Sequence, residues 1–88
     1  MYMLEIRPSL DKKLGKIAKK NPKQFEIILK KAVEILENPH HYKNLRAPLQ
    51  HWKRVHVDAS FVLTFSVDEQ HKRVILEDFD HHDNIYQT

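Results

Sequence analysis

One change of rhythm constrains this chain more than anything else in it. Between residues 9 and 38, apolar side chains recur at helical spacing; between 54 and 79 they alternate with polar ones. A period near 3.6 gives a helix one apolar stripe, and a period of two gives a strand one apolar face. A helical layer therefore has to cover a sheet that follows it in the chain.

The elements follow from local signals. "MYMLEIRP" predicts an opening strand, with Tyr2, Leu4 and Ile6 alternating with Met3 and Glu5 until Pro8. Ser9 is placed to cap a helix whose stripe is Leu10, Leu14, Ile17 and Ala18. Gly15 inside that stripe predicts close packing. Asn21, Pro22 and Gln24 spell a capping box for a second helix, with Phe25, Ile28, Leu29, Ala32 and Leu36 on its buried face and Asn38-Pro39 as its stop. A link this short makes the two helices an antiparallel hairpin.

Residues 39–52 hold two prolines and no period, so they predict a loop of the length that often serves function. In "RVHV", Val55 and Val57 face one way and Arg54 and His56 the other. In "FVLTFSV", Phe61, Leu63, Phe65 and Val67 share a face; "DEQHK" turns the chain and "RVILEDF" returns it. The reading is an α+β fold, one domain over residues 1–88, in the order β-α-α-β-β-β. An antiparallel sheet carries the helical hairpin on one face, and the open face carries Arg54 and His56.

A domain of 88 residues, 41% of them hydrophobic, has a small core, so a partner that binds only the folded form would add useful stability. The absence of cysteine excludes disulfides, thiolate catalysis and zinc–cysteine sites. No apolar run approaches a membrane span, and the N-terminus lacks a signal peptide's apolar stretch, so a cytoplasmic protein is expected. Charge divides sharply: residues 1–56 hold thirteen Lys/Arg against five Asp/Glu, and residues 57–88 two against seven. The basic part suits a polyanion or an acidic protein. For the helix lysines alone, a solvated surface is the preferred reading.

"DFDHHDNIY", residues 78–86, sets three aspartates, two histidines and a tyrosine side by side. Together with His56, Arg54, Lys53 and Arg46, His81 and His82 offer imidazoles among permanent cations. That inventory suits phosphodiester cleavage by an RNA's own 2′-hydroxyl. The hydroxyl needs a base and the leaving 5′-oxygen an acid, and histidine serves as either near neutrality. Guanidinium and ammonium groups stabilise the charge that gathers on the phosphoryl oxygens. The nucleophile is already in the substrate, so no metal is required. Trp52, Phe61 or Tyr86 would stack a splayed base. Each residue also has a plainer reading: a surface histidine, core aromatics, Arg54 paired with Asp58 or Glu77, Tyr86 pinning the C-terminus.

Metal binding is the rival reading, through His40-His41 or His81-His82. Adjacent residues on a strand point to opposite faces, which argues against chelation by either pair, and no established zinc spacing is present. With one glycine, a phosphate-binding loop is excluded.

The helical hairpin, the Leu45-x-x-Pro48-Leu49 loop, the aromatic-basic run into a strand and the closing His81-His82-Asp83-x-x-Tyr86 resemble the RelE/ParE toxin superfamily, over nearly the whole chain and most strongly from Leu45 to Tyr86. The resemblance implies the toxin of a toxin–antitoxin pair that enters the ribosomal A site and cuts mRNA without metal or other cofactor. Its partners would be a cognate antitoxin and mRNA, with no membrane. By position, His56, His82, Arg54 and Tyr86 take the catalytic places. Arg46, His51, Lys53 and His81 are assigned to RNA binding. Phe61-Val62 stands where RelE-like enzymes commonly have Tyr-Arg; the YafQ-like branch also lacks that arginine and resembles this chain in its Pro-Leu-Gln loop and two histidines. That branch has an aspartate where this chain has Ser60 and a histidine near Ala47; Asp58 or His51 would have to substitute. The same resemblance admits a ParE-like gyrase inhibitor or an inactive binding module.

Overall fold

The computed structural model describes residues 1–86. Strand β1 (Met3–Ile6) leads into helix α1 (Pro8–Lys20) and helix α2 (Pro22–Glu37), followed by a 3-10 turn at Pro39–His41. Strands β2 (Lys53–Val57), β3 (Phe61–Asp68) and β4 (Arg73–His81) come next, and a single helical turn, α3 (His82–Ile85), closes the described chain. The α+β order read from the sequence is the observed one.

The sheet has the order β1-β4-β3-β2. β2, β3 and β4 form the expected antiparallel meander. β1 joins it parallel to β4, from Met3 opposite Arg73 to Ile6 opposite Leu76, so the whole sheet is mixed. Alternation within a four-residue strand gives its faces but not its neighbour or its direction.

β4 contains a phase slip that its sequence conceals. Thr64 pairs with Asp78 and Phe65 with Leu76, which leaves Glu77 without a counterpart. Leu76 and Phe79 are three apart and would face opposite ways on a regular strand, yet both are buried in the main core. The extra residue of the bulge restores the phase. Buried Glu77 is satisfied by Arg7, whose Nε donates to it at 2.8 Å, and by the Ser66 hydroxyl at 2.6 Å.

That core joins Leu10 and Leu14 of α1, and Ile28, Ala32 and Ile35 of α2, to one sheet face carrying Val57, Leu63, Phe65, Val74, Leu76 and Phe79. Lys13 tethers α1 to the free edge of β4, its Nζ donating to Asp78 Oδ1 and to the Phe79 carbonyl, both at 2.9 Å.

Four local expectations are corrected. Leu29 is exposed, as is Val33, because α2 is covered on one side only. α1 starts at Pro8 after Arg7 with no side-chain cap, so Ser9 does not serve as one; a proline at the first position has no N–H to satisfy. Gly15 faces solvent, and a Cβ there would meet nothing within 4 Å. Asn21 does cap α2, accepting from the Gln24 N–H at 3.1 Å, but its own N–H closes α1 on Ile17 O, so the reciprocal half of the capping box is replaced. Among the described residues, no helix is long and apolar enough to cross a membrane.

Candidate functional site, a basic cleft on the open sheet face

β2 is an edge strand whose alternation works as read. Val57 is sealed in the core while Arg54 and His56 stand on the outer face, opposite Thr64 and Val62 of β3. The segment before β2 folds back along it. Lys43 O accepts the Arg54 N–H at 3.0 Å, Asn44 bridges to Lys53, and the Leu45 N–H donates to Trp52 O at 2.8 Å. The apparent loop is thus partly a ribbon extending the sheet, and it curls over the outer face. There buried Leu45 meets Val62 and Ile85, with Leu49 and Trp52 packed against them. α3 is anchored by the His82 N–H on Ser60 O at 2.8 Å, which delivers Ile85 to this small core and Tyr86 to its rim.

Between the ribbon, β2 and α3 lies a cleft of about 570 Å³. Lys43, Arg46, Arg54, His56 and Tyr86 supply its chemistry. No carboxylate lines it, and none of its three permanent cations forms an ion pair among the described residues. Arg54 instead sits over the Tyr86 ring, 5.9 Å from its centroid, which leaves its N–H groups without a carboxylate to neutralise them. Glu77, one acid considered for Arg54, is taken by Arg7. Uncompensated cations around a concave surface focus positive potential where an anion would enter.

The other sequence candidates stand elsewhere. His82 does not line the cleft. Its ring lies against His81, with centroids 4.5 Å apart, and its Nδ1 is 3.0 Å from Asp83. His82 is therefore not brought into the lining beside His56: β4 ends at His81, and the helical turn beginning at His82 sets its ring against His81 and Asp83. His81 packs edge-on to Phe61. Lys53 is tied to Tyr42 O and Asn44 Oδ1 at 3.1 and 3.0 Å, holding the ribbon rather than facing the cleft. His51 is exposed beside Trp52, outside the cleft. Trp52 belongs to the small core, and Phe61 stacks on Phe79 at 5.3 Å. Tyr86, about half exposed, is the aromatic left free to meet a ligand. Asp58 occupies the tight β2–β3 turn with φ 55° and is not part of the lining, whereas Ala47 is. Sequence reasoning missed Lys43, since only the pairing of its carbonyl with β2 brings it to the site.

A helical hairpin over a four-stranded mixed sheet, with a cation-lined cleft on the uncovered face, defines a class of small toxins. A chain of the intact E. coli RelBE toxin–antitoxin complex superposes with a TM-score of 0.76 at 21% identity, covering 92% of this chain and 96% of that one. No family model matches the sequence. Curated relatives do: a protein of Methanosarcina mazei without an assigned role is 66% identical over 86 residues, 98% of this chain and all of its own. The candidate toxin RelE4 of Methanocaldococcus jannaschii is 63% identical over 87 residues, 99% of this chain and 93% of its own. The chain belongs to the RelE/ParE toxin superfamily, as a RelE-family member.

Proposed function

We propose that this protein is the toxin of a toxin–antitoxin pair and an endoribonuclease that cuts mRNA in the ribosomal A site, acting in the cytoplasm. The observation that carries this reading is the cleft, where His56 stands among Lys43, Arg46 and Arg54 with no acid to neutralise them. A bound RNA backbone would sit on the cations. His56, the imidazole of the lining, takes the 2′-hydroxyl proton as base or gives the leaving 5′-oxygen its proton as acid, and water carries the other of the two transfers. Arg54 and Arg46 stabilise the phosphorane as charge accumulates on its oxygens. Tyr86 stacks on or positions the nucleotide beside the scissile bond. The 2′-oxygen bonds to phosphorus as the P–O5′ bond breaks, which leaves a 2′,3′-cyclic phosphate and a 5′-hydroxyl. No metal enters these steps.

The cognate antitoxin would carry acidic, helical segments that fold over the cationic face. The test is cleavage of mRNA on programmed ribosomes, with and without chelator. Wild type should cut and leave those ends, His56→Ala should cut at least about 100-fold more slowly, and His82→Gln should cut like wild type. Equal rates for His56→Ala and wild type would overturn the assignment. Loss of gyrase activity without any mRNA cleavage would place the protein with the ParE-like inhibitors instead.

A further inference from the structure

The strand rule that argues against chelation by neighbouring histidines does not apply at residues 81–83. β4 ends at His81, whose ψ of 143° closes the extended run, and helical geometry begins at His82. The change of backbone turns two side chains that would diverge into neighbours, with ring planes tilted by 30° and centroids 4.5 Å apart. Asp83 is the third corner. Its Oδ1 is 3.0 Å from His82 Nδ1 and its Oδ2 3.6 Å from His81 Nδ1, and one donor atom from each residue lies within 4.8 Å of the others.

We infer that His81, His82 and Asp83 form a site for one late first-row divalent cation of the zinc type, at the junction of β4 and α3 and outside the lining of the cleft. Tetrahedral zinc with bonds of about 2.0–2.1 Å needs donors roughly 3.3 Å apart. The two Asp83 separations, each to a different carboxylate oxygen, bracket that value, while the set with one donor per residue spans up to 4.8 Å, so rotation of these solvent-accessible side chains has to draw it in. The proton arrangement also fits. His81 Nδ1 accepts the Asp83 N–H at 3.2 Å, which places the ring proton on Nε2 and leaves Nδ1 unprotonated; an incoming cation displaces that N–H from the lone pair. The turn is braced from behind by Asp80, whose Oδ1 accepts from the His81 N–H at 2.7 Å and from Asn84 Nδ2 at 3.0 Å. Two imidazoles and one carboxylate select zinc-like ions over magnesium or calcium, which prefer oxygen, and they leave a fourth position for water. The Tyr86 N–H donates to His82 O at 3.0 Å, so an ion here pins the first residue of the turn that ends beside the cleft. The site does not depend on the nuclease reading.

The experiment is zinc titration of the purified, tag-free protein by calorimetry, together with NMR of the histidine side chains. One zinc should bind per chain, and the His81 and His82 imidazole signals should shift while those of His51 and His71 stay. His82→Gln and Asp83→Asn should each weaken binding roughly tenfold or more, and His51→Gln should not. If His82→Gln fails to fold by circular dichroism, the NMR of wild type decides. The inference is overturned if zinc does not bind, if both variants bind it like wild type, or if the shifting signals belong to other histidines.

Discussion

The two faces of the sheet solve different problems with the same three strands. On the helix-covered face, Leu63, Phe65, Val74 and Leu76 meet two amphipathic helices and form an apolar core closed to water. On the opposite face, Val62 alone represents β3 in a core shared with Leu45 of the ribbon and Ile85 of α3. Beside that small core the surface opens into a cationic cleft. The difference teaches that stability is concentrated on one side and chemistry on the other. Repelling cations and an exposed imidazole are tolerable on the second face because the first holds the sheet together.

This contrast can be broken most forcefully by Phe65→Ala. Phe65 is fully buried, and truncation should cost about 3–5 kcal/mol. That is a large share of what so small a domain has, so urea denaturation should find the variant mostly unfolded. His56→Ala should do the reverse. Its unfolding free energy should stay within about 0.5 kcal/mol of wild type, while the roughly 100-fold loss of cleavage corresponds to about 2.7 kcal/mol at the transition state. A stability loss like that of Phe65→Ala would mean that the two faces are not separable. Val62→Ala tests the seam between them. It removes two carbons from the small core, about 1.5 kcal/mol by transfer, and should lower cleavage beyond what the unfolded fraction explains, because Leu45 and Ile85 position the cleft walls. Gly15→Ala should stabilise by up to about 1 kcal/mol, read as a higher thermal midpoint, since the position is helical and meets nothing.

The smallest expected effect lies at the β3–β4 hairpin, remote from the cleft. Asp68 is lowered from its usual 3.8 to about 2, chiefly by its Arg73 hydrogen bond and then by His71. Glu69 falls from 4.5 to about 2 through Lys72 first, then Tyr2 and His40. Folded-state values below the unfolded ones mean stability that is present above the ordinary carboxylate range. It is lost as pH falls from that range toward about 2. Both groups are solvent-screened, so the loss is shallow. Urea midpoints measured above and within that window should fall less in Asp68→Asn/Glu69→Gln than in wild type.

Legibility followed the range of the interactions involved. Leu10, Leu14, Ile28 and Ala32 stood out from spacing because burying a helix stripe needs only the helix and something apolar to meet it. Arg54 and His56 were legible as outward residues because alternation holds within one strand. The placing of His82 against His81 was not, since the helical turn that begins there has no signal in the order of residues. Lys43 stayed hidden in a segment without period. Glu77 gave no sign of its bulge, because a phase slip is visible only against the partner strand.

The amino-acid order alone determined the two long helices and the four strands, their succession, most of the apolar side of each and the basic character of the N-terminal part. Those properties depend on contacts between residues close in the chain. The tertiary structure decided that β1 runs parallel to β4, that the ribbon folds over the outer face, and that His82 turns to His81 instead of the cleft. Each of these depends on hydrogen bonds or packing between distant segments, whose free energy is fixed only once the chain has closed on itself.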